Sequence, residues 1–216
     1  MFKRLILIIG ILVSVAACHH RQPAYVPLPE TSNIVILGDS LTYGTGAAEG
    51  QGYASRLASS TGWNVINAGV PGNTSSDALA RLPQLLADHE SGAQKIDFLI
   101  IELGGNDFLK HVPETETVSN LKEILAQAKA RHIQAALLAI PNFSLMGAAF
   151  GSLSDHPLYA QLAKETDTPL IKDVFTEVLA KNSLKSDQIH PNAEGYRLVE
   201  SKLRDALAEL GFLRAK

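Results

Sequence analysis

A chain of 216 residues with a formal charge of −3, 46% hydrophobic residues and one cysteine is long enough for one well-cored domain and short of two comfortable ones. Its acidic balance gives no reason to expect a nucleic-acid partner, since neutralising phosphates takes basic side chains and no Lys/Arg run stands outside the first residues. A lone cysteine excludes an intramolecular disulfide and a Cys-rich zinc or iron–sulfur site, so stability must come from a packed core.

The chain opens on Lys3 and Arg4, an apolar run from Leu5 to Val15, and the small residues Ala16 and Ala17. This is the layout of a secretory signal peptide, and it falls short of the ~20 apolar residues of a membrane-spanning helix. Removing it leaves 216 − 17 = 199 residues and takes the charge to −3 − 2 = −5. Val15-Ala16-Ala17-Cys18 resembles a bacterial lipobox, which implies cleavage before Cys18 and lipid on its thiol and new amino group. Several acyl chains on one residue anchor firmly where one alone binds marginally. His19 in place of aspartate implies, by resemblance to Gram-negative lipoproteins, an outer-membrane address facing the periplasm. An uncleaved anchor and an ordinary secreted protein are the competing readings. Residues 18–32, with Pro23, Pro27 and Pro29, read as a tether, and 33–216 as the domain.

Within the domain, Ile34–Leu37 is the first expected strand, followed by a Gly-rich loop and a helix near Tyr53–Ser60. Asn64–Ala68 is a second strand, and a helix follows near Ser76–Asp88. The apolar run Asp97–Leu103 suits a central strand buried on both faces. A helix near Val118–Ala130, the strand Gln134–Ile140, a helix near Pro157–Glu165, a short strand at Pro169–Ile171 and a helix from about Asn192 to Leu210 complete the pattern. Short strands alternating with helices describe an α/β fold, a three-layer α/β/α sandwich on a mainly parallel five-stranded sheet. In such folds ligands bind beyond the carboxyl ends of the strands. Gly38-Asp39-Ser40, Gly69–Thr74 and Gly104–Asp107 all fall there, on three separate loops. The stretch 141–156 has no periodicity and is expected to be a loop near the site.

Ser40 stands at a strand-to-helix turn, which exposes a side chain beside free backbone N–H groups; taken alone it could equally be a cap or turn serine. His190 is followed by Pro191, which disfavours helix at His190 and puts it in a loop. Asp187 could accept from one ring nitrogen and leave the other to take a proton from Ser40. Alternatively, Asp187 or Asn192 caps the last helix and His190 is merely exposed. Asn106 follows two glycines at a strand end, where its amide could donate to an oxyanion; Gly72 could add a backbone N–H, or these glycines only make turns. His19, His20, His89, His111, His132 and His156 show no ligand spacing.

Together, Gly38-Asp39-Ser40-Leu41, Asn67–Ser75, Glu102–Asp107 and Asp187-Gln188-Ile189-His190-Pro191-Asn192 resemble, in order, the four blocks of the SGNH (GDSL-type) hydrolases. Ile36–Leu41, Ala80-Arg81-Leu82-Pro83 and Leu103–Asp107 are most similar to its thioesterase I, lysophospholipase L1 and arylesterase group, and Thr42–Gly46 to the arylesterase branch. The resemblance implies a serine esterase with Ser40 as nucleophile, His190 as base held by Asp187, and an oxyanion hole of Ser40, Gly72 and Asn106. Asp39 and Asp107 fall at supporting positions. It further implies short-to-medium acyl esters as substrates, lysophospholipids and thioesters among them. The region Pro141–His156 departs from that group, and its small and apolar residues Met146, Ala148, Ala149 and Phe150 are expected to shape the acyl pocket. No cofactor or metal is required, and a monomer is expected. Deacetylation of envelope polysaccharide or peptidoglycan, and a non-catalytic envelope lipoprotein on the same scaffold, are the alternatives.

Overall fold

The computed structural model describes residues 25–142 and 153–214. Its centre is the β-branched and aliphatic run that becomes β1 (Asn33–Gly38), buried at every position. The second all-buried run is β3 (Phe98–Glu102), which lies beside it. With β2 (Asn64–Gly69), β4 (Gln134–Leu138) and β5 (Leu170–Ile171) they form one five-stranded sheet in the order β2-β1-β3-β4-β5. Every pairing is parallel.

Alternation along the strands divides the core in two. Ile34, Ile36, Phe98 and Ile100 face α2 (Tyr53–Thr61) and the long final helix, here α8 (Ala193–Leu210). Val35, Leu37, Leu99 and Ile101 face α3 (Ser75–Asp88), α5 (Glu114–Ala130) and α6 (Pro157–Thr166). The result is the three-layer α/β/α sandwich expected from the sequence.

Three short helices had no periodicity from which to be foreseen: α1 (Ser40–Tyr43), α4 (Gly105–Leu109) and α7 (Thr176–Ala180). The first two open directly from the ends of β1 and β3. Helix α5 starts a turn earlier than expected, at Glu114, where Pro113 ends the preceding loop and Glu114 and Glu116 complement the helix dipole. At the other end of the sheet, residues 25–32 of the expected tether lie against the domain: Tyr25 stacks on Phe212, with ring centroids 4.5 Å apart, and the Leu28 N–H donates to the Phe212 carbonyl at 2.8 Å. A cavity of about 870 Å³ lined by Leu28, Trp63 and Arg204 lies there, remote from the polar loops. No helix among the described residues is long and apolar enough to cross a membrane.

Candidate active site

At the carboxyl end of β1, Asp39 caps α1: its Oδ1 accepts the Leu41 N–H at 2.9 Å, and the Tyr43 N–H closes on the Asp39 carbonyl. This tight turn presents Ser40. Its Oγ lies 2.9 Å from His190 Nε2, across 150 residues of sequence. His190 Nδ1 lies 2.7 Å from Asp187 Oδ2, while Asp187 Oδ1 accepts the N–H groups of Ile189 and His190 at 2.9 and 2.8 Å. Such an imidazole, with one nitrogen on a carboxylate and the other on a hydroxyl, can take the hydroxyl proton. Burial alone would raise the Asp187 pKa, but the bonds from the His190 ring and the two backbone N–H groups outweigh it and hold the group below the usual aspartate value.

The histidine loop is built locally. The last helix is capped by Asn192, whose Oδ1 accepts from Glu194 and Gly195, while its Nδ2 donates to the Ser183 carbonyl. Asp187 is thus free of the capping role and available to His190. Gly46, with φ at 99°, lies so close to the Pro191 carbonyl and Ser186 hydroxyl that a side chain there would displace the loop. Tyr196 of α8 donates to the Thr45 carbonyl at 2.8 Å, tying the loop after α1 to the same helix.

Val70–Asn73 forms the turn after β2, with Pro71 second, Gly72 third at φ 80°, and the Asn73 N–H closing on the Val70 carbonyl at 3.1 Å. That is a type II turn, whose third position needs the positive φ that glycine supplies. The Gly72 carbonyl accepts from Lys110 Nζ at 2.9 Å. Asn106, on α4, donates from Nδ2 to Asp39 Oδ2 at 2.9 Å and to the Asn73 carbonyl at 3.0 Å. Both amide hydrogens are therefore engaged, so a third acceptor must share or displace one of these bonds. Asp107 is fully buried and accepts from the Ser75 N–H, the Ser75 hydroxyl and Thr117, which fixes the start of α3 against α5.

A family model described as the GDSL-like lipase/acylhydrolase family matches residues 36–198. The chain belongs to this family. It is an SGNH hydrolase of the esterase/acylhydrolase type. It is 31% identical, over 190 residues, to "Thioesterase 1/protease 1/lysophospholipase L1" of Escherichia coli K12, covering 82% of this chain and 84% of that one. It is also 28% identical over 173 residues to an arylesterase of Vibrio mimicus, covering 76% of this chain and 82% of that one. Among solved structures, the psychrotrophic esterase EstA of Pseudoalteromonas sp. superposes with a TM-score of 0.69 at 27% identity, covering 82% of this chain and 97% of that one.

For this SGNH hydrolase, sequence reasoning overlooked Glu102. It is fully buried at the end of β3, and its Oε2 accepts from Thr42 Oγ1 at 2.6 Å and from the N–H groups of Thr42 and Asp39. Its Oε1 has no partner among the described residues. Burial first, and the nearby Asp39 second, push its pKa well above the carboxylate range. Burial also lifts Asp39 to about 6, against the bonds from Leu41 and Asn106 and the charge of His190. Nothing in a single sequence says that Glu102 lies under the serine turn; only its place in an otherwise apolar central strand was a signal. Arg81, noted in sequence only for its resemblance, donates to Asn73, Gly38 and Ala68. His156 caps α6 and stacks on Phe108 with centroids 4.4 Å apart, a packing role. Among the described residues no cluster of three or more His, Cys, Asp or Glu is disposed to hold a metal. Cys18 and the expected acyl-pocket residues Met146–Phe150 lie outside the described residues.

Proposed function

We propose that this hydrolase cleaves carboxylic esters of short-to-medium acyl chains by a serine mechanism, with lysophospholipids and acyl thioesters within its range. The observation that carries the reading is the unbroken relay Asp187–His190–Ser40, at 2.7 and 2.9 Å. Ser40 Oγ attacks the carbonyl carbon while His190 Nε2 takes its proton, and Asp187 stabilises the imidazolium. The tetrahedral oxyanion rests on the N–H groups of Ser40 and Gly72 and on Asn106 Nδ2, which turns part of its donation from Asn73 to the new anion. Protonated His190 then gives its proton to the leaving alcohol or thiol, and the acyl–oxygen or acyl–sulfur bond breaks. Water, deprotonated by the same histidine, releases the acid and restores Ser40.

An apolar substrate is favoured by the exposed large hydrophobics Tyr43, Val70 and Leu109, which stand on the same three segments as Ser40, Gly72 and Asn106: α1, the turn after β2 and α4. Hydrolysis of p-nitrophenyl esters from acetate to palmitate, with lysophosphatidylcholine and an acetylated sugar alongside, tests the reading in wild type and Ser40→Ala. A serine-dependent optimum at medium chains is expected. An optimum confined to acetyl groups would replace it with envelope deacetylation, and turnover surviving in Ser40→Ala would refute the nucleophile.

We also propose that Cys18 is lipidated, which would hold the cleft near a membrane, in the outer membrane facing the periplasm. Palmitate labelling that disappears in Cys18→Ala is the expected result; label that persists in the variant contradicts it.

A further inference from the structure

Arg81 stands on α3, nearly two turns in from a start fixed by reciprocal bonds between Thr74 and Asp77. Half-buried, its guanidinium donates from Nε to Asn73 Oδ1 at 2.8 Å and from Nη2 to the carbonyls of Gly38 at 3.0 Å and Ala68 at 2.7 Å. All of these acceptors are neutral oxygens, and burial without an offsetting charge lowers its pKa. Holding a cation away from water on neutral partners is costly, and a clamp alone could be made from a neutral amide.

The acceptors are the last carbonyl of β1, the next-to-last carbonyl of β2 and the side chain of Asn73 in the turn that follows β2. Gly38 lies two residues before Ser40, and its carbonyl also accepts the Val70 N–H at 3.1 Å. Asn73 follows Gly72, and its own carbonyl takes one hydrogen of Asn106. One side chain therefore reaches, directly or through Asn73, each segment that presents an oxyanion donor in the mechanism above.

We infer that Arg81 is a positioning residue for the oxyanion hole: its planar fork fixes the Val70–Asn73 turn, and with it Gly72 and Asn106, against the Ser40 turn, and its charge favours the developing oxyanion from behind. Lysine would keep the charge and lose the fork, because a point-like ammonium cannot span three oxygens in one plane. The inference rests on the serine mechanism proposed above.

The test compares wild type, Ser40→Ala, Arg81→Met and Arg81→Lys on p-nitrophenyl butyrate, with kcat expressed per phosphonate-titrated serine and thermal unfolding recorded for each. Arg81→Met is expected to lower kcat per site about 10²-fold with KM within about threefold, the signature of donors that act only in the transition state. Arg81→Lys is expected to recover part of that loss. A role confined to folding would reduce titratable sites and melting temperature while leaving kcat per site unchanged, and that result overturns the inference. Should Arg81→Met not fold, Arg81→Lys decides: kcat per site down about tenfold at unchanged KM supports it, and wild-type kcat per site refutes it. Wild type no faster than Ser40→Ala would remove the serine mechanism and this inference with it. Wild type far above Ser40→Ala, with Arg81→Met equal to wild type, would remove the inference alone.

Discussion

Asp39 and Asp187 flank the Ser40–His190 hydrogen bond, and their surroundings are opposite. Asp39 sits at the end of the most buried strand pair, 2% exposed, and desolvation pushes its carboxyl up to about 6. The Asp187 side chain is 52% exposed on a loop; burial is the largest single influence on its carboxyl and raises it, but the hydrogen bonds from the His190 ring and two backbone N–H groups together hold it below its ordinary value. The serine half of the site is set by the sheet: β1 and β3 deliver Asp39, Asn106 and Glu102 to one place because their register is fixed by a core of Ile, Val and Leu. The histidine half is set by hydrogen bonds among residues close in sequence, from Ser183 to Gly195. Rigidity comes from burial in one half and from local bonding in the other. A carboxylate that must act as a strong acceptor can be left near water, whereas one that shapes a turn can be buried at the expense of its ionisation.

That contrast can be broken most forcefully at the histidine. On the proposed mechanism His190→Ala lowers kcat by about 10⁴-fold or more in the p-nitrophenyl ester assay, because Ser40 loses its base. Asp187→Ala follows, with a loss of about 10²–10³-fold, since water can reach the vacated side of the ring and supply part of the missing acceptor. A loss equal to that of His190→Ala would show that exposure gives Asp187 no such latitude.

Next in size is a pH effect that separates the aspartates by sign. The folded-state pKa of Asp39 lies above its unfolded value of 3.8, so the folded protein binds more protons between 3.8 and about 6. Its contribution is therefore most favourable below that window and is lost as pH rises through it. Asp187 has the opposite sign: its lowered pKa contributes stability above the unfolded value that is lost as pH falls. Melting temperatures of wild type and Asp39→Asn, followed from about pH 4 to about pH 7, should diverge in favour of the variant as pH rises. A difference that stays constant across the window would deny the buried charge.

The smallest effect is expected at Glu102. A neutral amide in place of an acid already pushed toward its protonated form should leave kcat within about threefold and stability unchanged in Glu102→Gln. Glu102→Ala, by contrast, takes the side-chain acceptor from the N–H groups of Thr42 and Asp39, leaves the Thr42 hydroxyl with Tyr53 alone, and should cost roughly 1–3 kcal/mol in denaturant unfolding. Equal damage in both variants would mean that Glu102 acts as a buried anion.

Much of this arrangement could be read from the sequence, and the unread part has a physical pattern. Ser40, His190 and Asp187 are carried by motifs whose local chemistry is explicit: a strand-to-turn serine, a histidine held out of helix by Pro191, and an aspartate three residues before it. Strands β1 and β3 announced themselves by the apolar runs Ile34–Leu37 and Phe98–Ile101. Glu102 and Arg81 did not, because their roles lie in contacts with residues 60 and 43 positions away, to Thr42 and Gly38, and nothing in their neighbours records those distances. Helices α1 and α4 escaped for a related reason: a single turn has no period, and each is fixed from outside, α1 by Asp39 and Glu102 and α4 by the packing of Asp107.

The most direct test of the central claim is chemical. A p-nitrophenyl alkylphosphonate offered to the wild-type protein should be attacked by Ser40 Oγ at phosphorus, breaking the bond to p-nitrophenolate. Intact-mass and peptide analysis should then find one phosphonyl group per chain, on the peptide containing Ser40, with matching nitrophenolate release and a much slower reaction in His190→Ala. An adduct on any other residue, or a Ser40 that reacts at the same rate without His190, would contradict the relay on which this account rests.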